Sequence, residues 1–110
     1  MSAPIQITPV DVATLVEAGA VFVDVREHQE TSAGHAPGAT FMPLQSFDAY
    51  TLPADTPLIF ICRSGGRSMA AASAIAQTGR TAYNVTGGMG AWAAAGLPVV
   101  ADNGAPGQVV

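Results

Sequence analysis

The chain has 110 residues, the size of one compact domain, and 49% of them are apolar against 11% charged; that balance excludes a disordered chain and supplies enough apolar surface for a core. The net charge is −4, with no lysine and only four basic residues, Arg26, Arg63, Arg67 and Arg80, so the basic stripe of a nucleic-acid binder is missing. The single cysteine, Cys62, excludes a disulfide within the chain and a zinc site of several thiolates. No apolar run reaches the roughly 18 residues that suggest a membrane span, and no basic region followed by an apolar run marks a secretory signal.

In chain order, Thr8-Pro9-Val10-Asp11 has the composition of a helix start, with a capping residue, proline at the first helical position and an acid three residues after the cap. The predicted helix runs to about Glu17 and stops before Gly19. Val21 to Val25 is β-branched and aromatic and predicts a buried strand. Glu27 to Ala33 suits a short helix, Gly34 to Gly38 is turn chemistry, and a short strand is expected near Ala39 to Met42. A brief helix over Leu44 to Tyr50 and a loop over Leu52 to Pro57 precede Leu58 to Ile61, the most apolar strand candidate, which ends at Cys62. Arg67 to Gln77 is Ala-rich and helical, Tyr83 to Val85 is a further strand candidate, and Gly87-Gly88 turns into a last helix over Met89 to Ala95. Residues 97 to 110 lack periodicity and are expected to be poorly ordered. This predicts one domain over 1–100 with a flexible tail over 101–110. Strands alternating with helices predict an α/β fold with a mainly parallel sheet, in which ligands bind beyond the carboxyl ends of the strands.

Cys62 stands at such an end and opens the segment Cys62-Arg63-Ser64-Gly65-Gly66-Arg67-Ser68. A strand here delivers a thiol into a glycine-containing loop that leads to a helix N-terminus, where free N–H groups and the helix dipole favour an anion. Gly65 and Gly66 allow the backbone to wrap its amides around one negative atom. Arg63 and Arg67 add full charges. The same field lowers a thiol's pKa and makes a nucleophile at neutral pH. Two blander readings stand beside this one: a small packed core thiol, the usual fate of a lone cysteine after an apolar strand, and an anion-binding turn with an inert thiol.

The loop Cys62 to Ser68 resembles the active-site loop of single-domain rhodaneses, the thiosulfate sulfurtransferases. Asp24-Val25-Arg26-Glu27, Glu30 and Gly34-His35-Ala36-Pro37-Gly38-Ala39 resemble the family's upstream signature, and Asn84-Val85-Thr86-Gly87-Gly88-Met89-Gly90-Ala91-Trp92 its downstream one. Thr31 and Ala36 depart from the pattern, standing where the family usually has an aromatic residue and isoleucine; both remove apolar bulk. The resemblance implies a five-stranded parallel sheet with helices on both faces. It also implies a ping-pong reaction in which Cys62 takes sulfur from thiosulfate or a similar donor as a persulfide and passes it to cyanide or a thiol, with no metal or organic cofactor. In that reading the amides of residues 63 to 68 hold the persulfide, Arg63 and Arg67 attract a dianionic donor, and Ser68 donates to the thiolate or caps the helix. Asp24 and Arg26 are expected to pair with each other or with the loop backbone and to support the site structurally. His35 is expected to make a structural hydrogen bond, His28 to be exposed and Trp92 to be core.

The rivals are a cysteine phosphatase and a binding module or persulfide carrier. Phosphatases that resemble this fold have five residues between cysteine and arginine; here four separate Cys62 from Arg67, a smaller cradle that suits one sulfur atom. An arsenate reductase of the cysteine type is disfavoured for the same reason. The expected partners are a small sulfur donor and a thiol or protein acceptor, with no nucleic acid or membrane, for a monomer in the reducing cytoplasm.

Overall fold

The computed structural model describes residues 3–110. Five parallel strands form one sheet: β1 (Ile5–Ile7), β2 (Val21–Asp24), β3 (Thr40–Phe41), β4 (Leu58–Ile61) and β5 (Ala82–Val85), in spatial order β1-β5-β4-β2-β3. Among the described residues α1 (Val12–Glu17), α2 (His28–Ala33) and α3 (Gly66–Ala76) lie between strands, and α4 (Gly88–Ala94) follows β5. This is the expected α/β architecture, with strand and helix bounds within a residue or two of the prediction where both exist.

Central strand β4 shows why the sheet is covered on both sides. All four of its residues, Leu58, Ile59, Phe60 and Ile61, are 0% exposed. Successive side chains point to opposite faces. Leu58 and Phe60 pack with Ala71, Ala72, Ile75 and Ala76 of α3. Ile59 and Ile61 pack with Val12, Phe22, Met89 and Trp92 on the other face. Small alanines bring α3 close to the sheet, while Trp92 fills the opposite face, stacked on Phe22 with ring centroids 5.7 Å apart and its indole N–H donating to the Pro98 carbonyl at 2.8 Å. Trp92 is therefore core, as the sequence predicts. Truncating Ile61 to alanine in this environment is expected to cost about 2–5 kcal/mol of stability, measured by urea denaturation.

Four differences from the sequence prediction have local causes. Strand β1 was not predicted, because it has three residues on the sheet edge with Ile5 half exposed and Gln6 polar. The first helix opens as a 3-10 turn over Pro9–Asp11, with the Asp11 carboxylate accepting from the Thr8 amide and hydroxyl, both at 2.9 Å. The region 44–50 forms two 3-10 turns, Leu44–Ser46 and Ala49–Thr51, rather than one helix; the Asp48 carboxylate accepts from the Tyr50 amide and breaks the run.

The fourth difference is the tail, which is docked and not loose. His35 and Val100 exchange backbone hydrogen bonds at 2.8 and 2.9 Å, Gly107 donates to the Val99 carbonyl and Gln108 to the Ala33 carbonyl. Leu97, Val99 and Val109 pack against the Trp92 side of the core. Two glycines, Gly34 and Gly107, permit this contact. A Cβ on Gly34 would run into the Gln108 backbone, and one on Gly107 would sit 2.8 Å from the Gly34 Cα. Two backbones touch where neither carries a side chain.

Candidate active site

Cys62 follows β4 directly, and α3 begins four residues later at Gly66. Between them the chain turns back on the sulfur. Gly65 adopts φ 112°, a left-handed conformation that glycine reaches without strain, and its amide donates to the Cys62 Sγ at 3.1 Å. The Ser68 hydroxyl, buried on the first turn of α3, lies 3.3 Å from the same sulfur. Burial pushes the Cys62 thiol pKa up, but the Ser68 hydroxyl and the amides of Ser68, Gly65 and Ser64 outweigh it, and the net displacement is downward. Of the amides of residues 63 to 68, that of Gly65 makes a hydrogen bond to the sulfur, and Cys62 is 1% exposed.

The back of the loop is held by the second glycine pair. Met89 and Gly90 donate their amides to the carbonyls of Cys62 and Arg63 at 2.7 and 3.0 Å. Gly88, at φ 57°, has no room for a side chain: a Cβ would collide with the Cys62 carbonyl. The sequence marks Gly87-Gly88 as a turn within the downstream signature; the structure shows that it also brings α4 against the Cys62 loop.

The arginines divide their work differently from expectation. Arg67 does not offer a free charge to an anionic donor. Its two terminal nitrogens bind both Glu30 oxygens, Nη1 to Oε1 at 2.6 Å and Nη2 to Oε2 at 2.8 Å. Such a fork is the strongest carboxylate pairing available to arginine, and it ties α3 to α2. Arg63 is exposed, its Nε donating to the Val110 carbonyl at 3.1 Å. Of the two, Arg63 is the one open to a ligand.

Behind this lies a second ion pair, and this one is buried. Asp24 and Arg26 are both 0% exposed; Arg26 Nη2 donates to Asp24 Oδ2 at 2.8 Å and to the Gly34 carbonyl at 2.8 Å. They reach α2 and the tail contact rather than the sulfur. His35 accepts its expected structural place, with Nδ1 2.9 Å from the Thr31 carbonyl, and His28 is exposed. Thr31, 2% exposed, bonds the His28 carbonyl through its hydroxyl, and Ala36 is fully buried in the Trp92 cluster.

The hydrogen bond from Arg67 holds the Glu30 pKa down to about 2 against an ordinary 4.5. The stabilisation this represents is complete above 4.5 and is lost as pH falls toward about 2. Glu30→Gln is expected to be less stable than the parent at neutral pH, with the gap closing over that acid range in urea denaturation. A gap independent of pH would contradict the pairing.

Comparison with known proteins follows the same geometry. The profile of the Rhodanese-like domain matches residues 8–95. The chain belongs to the rhodanese family. This rhodanese domain is 30% identical over 97 residues to a thiosulfate sulfurtransferase, GlpE, of Haemophilus influenzae, covering 86% of this chain and 92% of the relative. It is 40% identical over 95 residues to an HTH-type transcriptional regulator of Mycobacterium tuberculosis, covering 82% of this chain but 41% of the regulator. Among solved structures, a rhodanese-related protein from Thermoplasma volcanium superposes with a TM-score of 0.79 at 28% identity, covering 87% of this chain and 97% of the other. The rhodanese fold supplies the sheet and loop. Among the described residues no cluster of three or more His, Cys, Asp or Glu side chains is placed to hold a metal ion, and no helix is long and apolar enough to cross a membrane.

Three residues that bond the partners of the loop, not the sulfur itself, escaped the sequence reading as individuals. Glu30 and Asn84 lay inside the recognised motifs without an assigned role, and their partners were not visible. Gln6 carried no signal at all; it matters only because β1 lies beside β5.

Proposed function

We propose that this chain is a sulfurtransferase that carries sulfane sulfur on Cys62 as a persulfide. The observation that carries the reading is the pair of donors on one sulfur, the Gly65 amide at 3.1 Å and the Ser68 hydroxyl at 3.3 Å, at the start of helix α3. Membership of the rhodanese family and a relative named as a thiosulfate sulfurtransferase support sulfur transfer as the class of chemistry.

In the first half-reaction the Cys62 thiolate attacks the outer sulfur of thiosulfate. A new S–S bond forms, the old one breaks, and sulfite leaves with the electron pair. The product is Cys62–S–S⁻, whose charge the loop amides stabilise as they stabilise the thiolate. In the second, cyanide or a thiolate attacks the outer sulfur, and the Cys62 thiolate returns as leaving group. Each step conserves charge and needs no proton, metal or organic cofactor. Arg63 draws in the dianionic donor. The four-residue spacing to Arg67 and the 1% exposure of Cys62 suit delivery of one sulfur atom rather than a phosphate group. The donor in the cell is a small sulfane compound, and the acceptor a thiol or a protein, in a reducing compartment that keeps Cys62 free.

Intact-protein mass spectrometry after incubation with thiosulfate tests the reading. A gain of one sulfur atom is expected; none, from folded protein with a titratable thiol, would overturn it. Arg63→Ala is expected to raise KM for thiosulfate about tenfold, the scale of one charge-assisted contact, while persulfide formation from an uncharged polysulfide is unchanged. An unaltered rate at low thiosulfate would remove Arg63 from donor binding.

A further inference from the structure

One hydroxyl serves two masters in this site. Ser68 is 0% exposed and has a single O–H hydrogen. Three acceptors surround its Oγ: the Asn84 Oδ1 at 2.6 Å, the Gly65 carbonyl at 3.2 Å and the Cys62 Sγ at 3.3 Å. The shortest contact is not to the sulfur. Asn84 lies on β5 and is 4% exposed. Its amide has two ends, and its neighbours decide which one faces Ser68. Asn84 Nδ2 donates to the Gln6 Oε1 at 2.9 Å. Gln6 is itself oriented, since its Oε1 also accepts from the Thr86 hydroxyl at 3.1 Å and its Nε2 donates to the Met69 Sδ at 3.0 Å. The amide carbonyl of Asn84 is therefore turned toward Ser68.

We propose that Asn84 is a positioning residue that competes with Cys62 for the hydroxyl proton of Ser68, and that Gln6 sets the competition by fixing which end of the Asn84 amide faces the hydroxyl. This rests on Cys62 being the nucleophile. While Cys62 is a neutral thiol, Ser68 donates to Asn84 and presents a lone pair to the thiol. When Cys62 ionises, the hydroxyl must turn from Asn84 to the sulfur. Asn84 thus restrains the thiolate that the loop amides promote. Were the amide reversed, its N–H would donate to Ser68 and release the hydroxyl proton to the sulfur permanently.

The charged groups around Cys62 are Arg63 in the loop, Arg67 of α3 with its partner Glu30 of α2, and Asp24 and Arg26 at the end of β2, with Cys62 and Asp24 both acting on Arg67. Strands β1 and β5 and helix α4 contribute no Asp, Glu, Lys, Arg or His. None of the charged side chains hydrogen-bonds Ser68 or Asn84.

The test is the pH profile of Cys62 alkylation by iodoacetamide, which needs no sulfur donor and so reads this proposal even if no persulfide forms. Asn84→Ala is expected to move the midpoint down by about half a pH unit, about a threefold gain in thiolate below the midpoint. Gln6→Leu, a change on the sheet edge, should shift it the same way by releasing the amide, and it decides the matter if Asn84→Ala does not fold. Ser68→Ala should raise the midpoint, and adding Asn84→Ala to it should then change nothing. An unchanged or raised midpoint in the folded single variants, or an Asn84 effect that persists without the Ser68 hydroxyl, would overturn the proposal. A merely structural Asn84 would lower the melting temperature and leave the midpoint in place.

Discussion

Cys62→Ser is expected to reduce sulfur transfer by about three orders of magnitude or more, the scale of losing a covalent nucleophile, with little effect on the fold. The side chains are similar in size and shape, and the backbone contact that secures the loop, Met89 N–H to the Cys62 carbonyl, is unaffected. A serine oxygen in the cradle still accepts from Gly65. What it lacks is an accessible anion: the loop donors hold the Cys62 thiol below its ordinary range, whereas a serine alkoxide lies far beyond their reach. Initial rates with cyanide, together with intact mass after thiosulfate, measure the outcome. Full activity in the folded variant, or sulfur gain without the thiol, would place the chemistry elsewhere.

Asp24→Ala is expected to produce the largest loss of stability, about 3–5 kcal/mol, because it leaves the fully buried Arg26 guanidinium without its counter-charge. Asp24 does more than pair with the side chain. Its Oδ1 also accepts from the Arg26 amide at 3.0 Å, so one residue satisfies both the charge and the turn that follows β2. The double variant Asp24→Ala with Arg26→Met removes the stranded charge and is expected to recover part of the loss. Guanidinium denaturation midpoints of the parent, Asp24→Ala, Arg26→Met and the double variant separate these terms. If the double variant were less stable than the sum of the singles, the pair would matter for packing rather than for charge.

Much of this was legible in the sequence for physical reasons. Leu58 to Ile61 is an unbroken apolar run, and such a run between turn residues has few alternatives to a strand covered on both faces. Thiol, glycine pair and helix start fall within the six residues Cys62 to Arg67, so their juxtaposition required no knowledge of tertiary structure. The resemblance to rhodaneses added the order of the motifs and the strand count. What was hidden depended on pairing across the chain. Arg67 has the composition of an anion clamp until Glu30, 37 positions away, is found to occupy it. Gln6 is unremarkable until β1 meets β5. The tail has the composition of disorder, and only the backbone contact between Gly34 and Gly107 explains why it is held.

The neighbouring positions of β1 and β5 have a consequence in time. Gln6 and Asn84 sit opposite each other although 78 positions separate them, and the loop is braced by Met89 and Gly90, later still in the chain. Synthesis proceeds from the N-terminus, and contacts between distant segments form late. A growing polypeptide therefore exposes Cys62 well before it has all the segments that tune it. The donors to the sulfur, Gly65 and Ser68, follow within six residues of Cys62, so what arrives with the last third of the chain is the restraint from Asn84 and the brace from Met89 and Gly90.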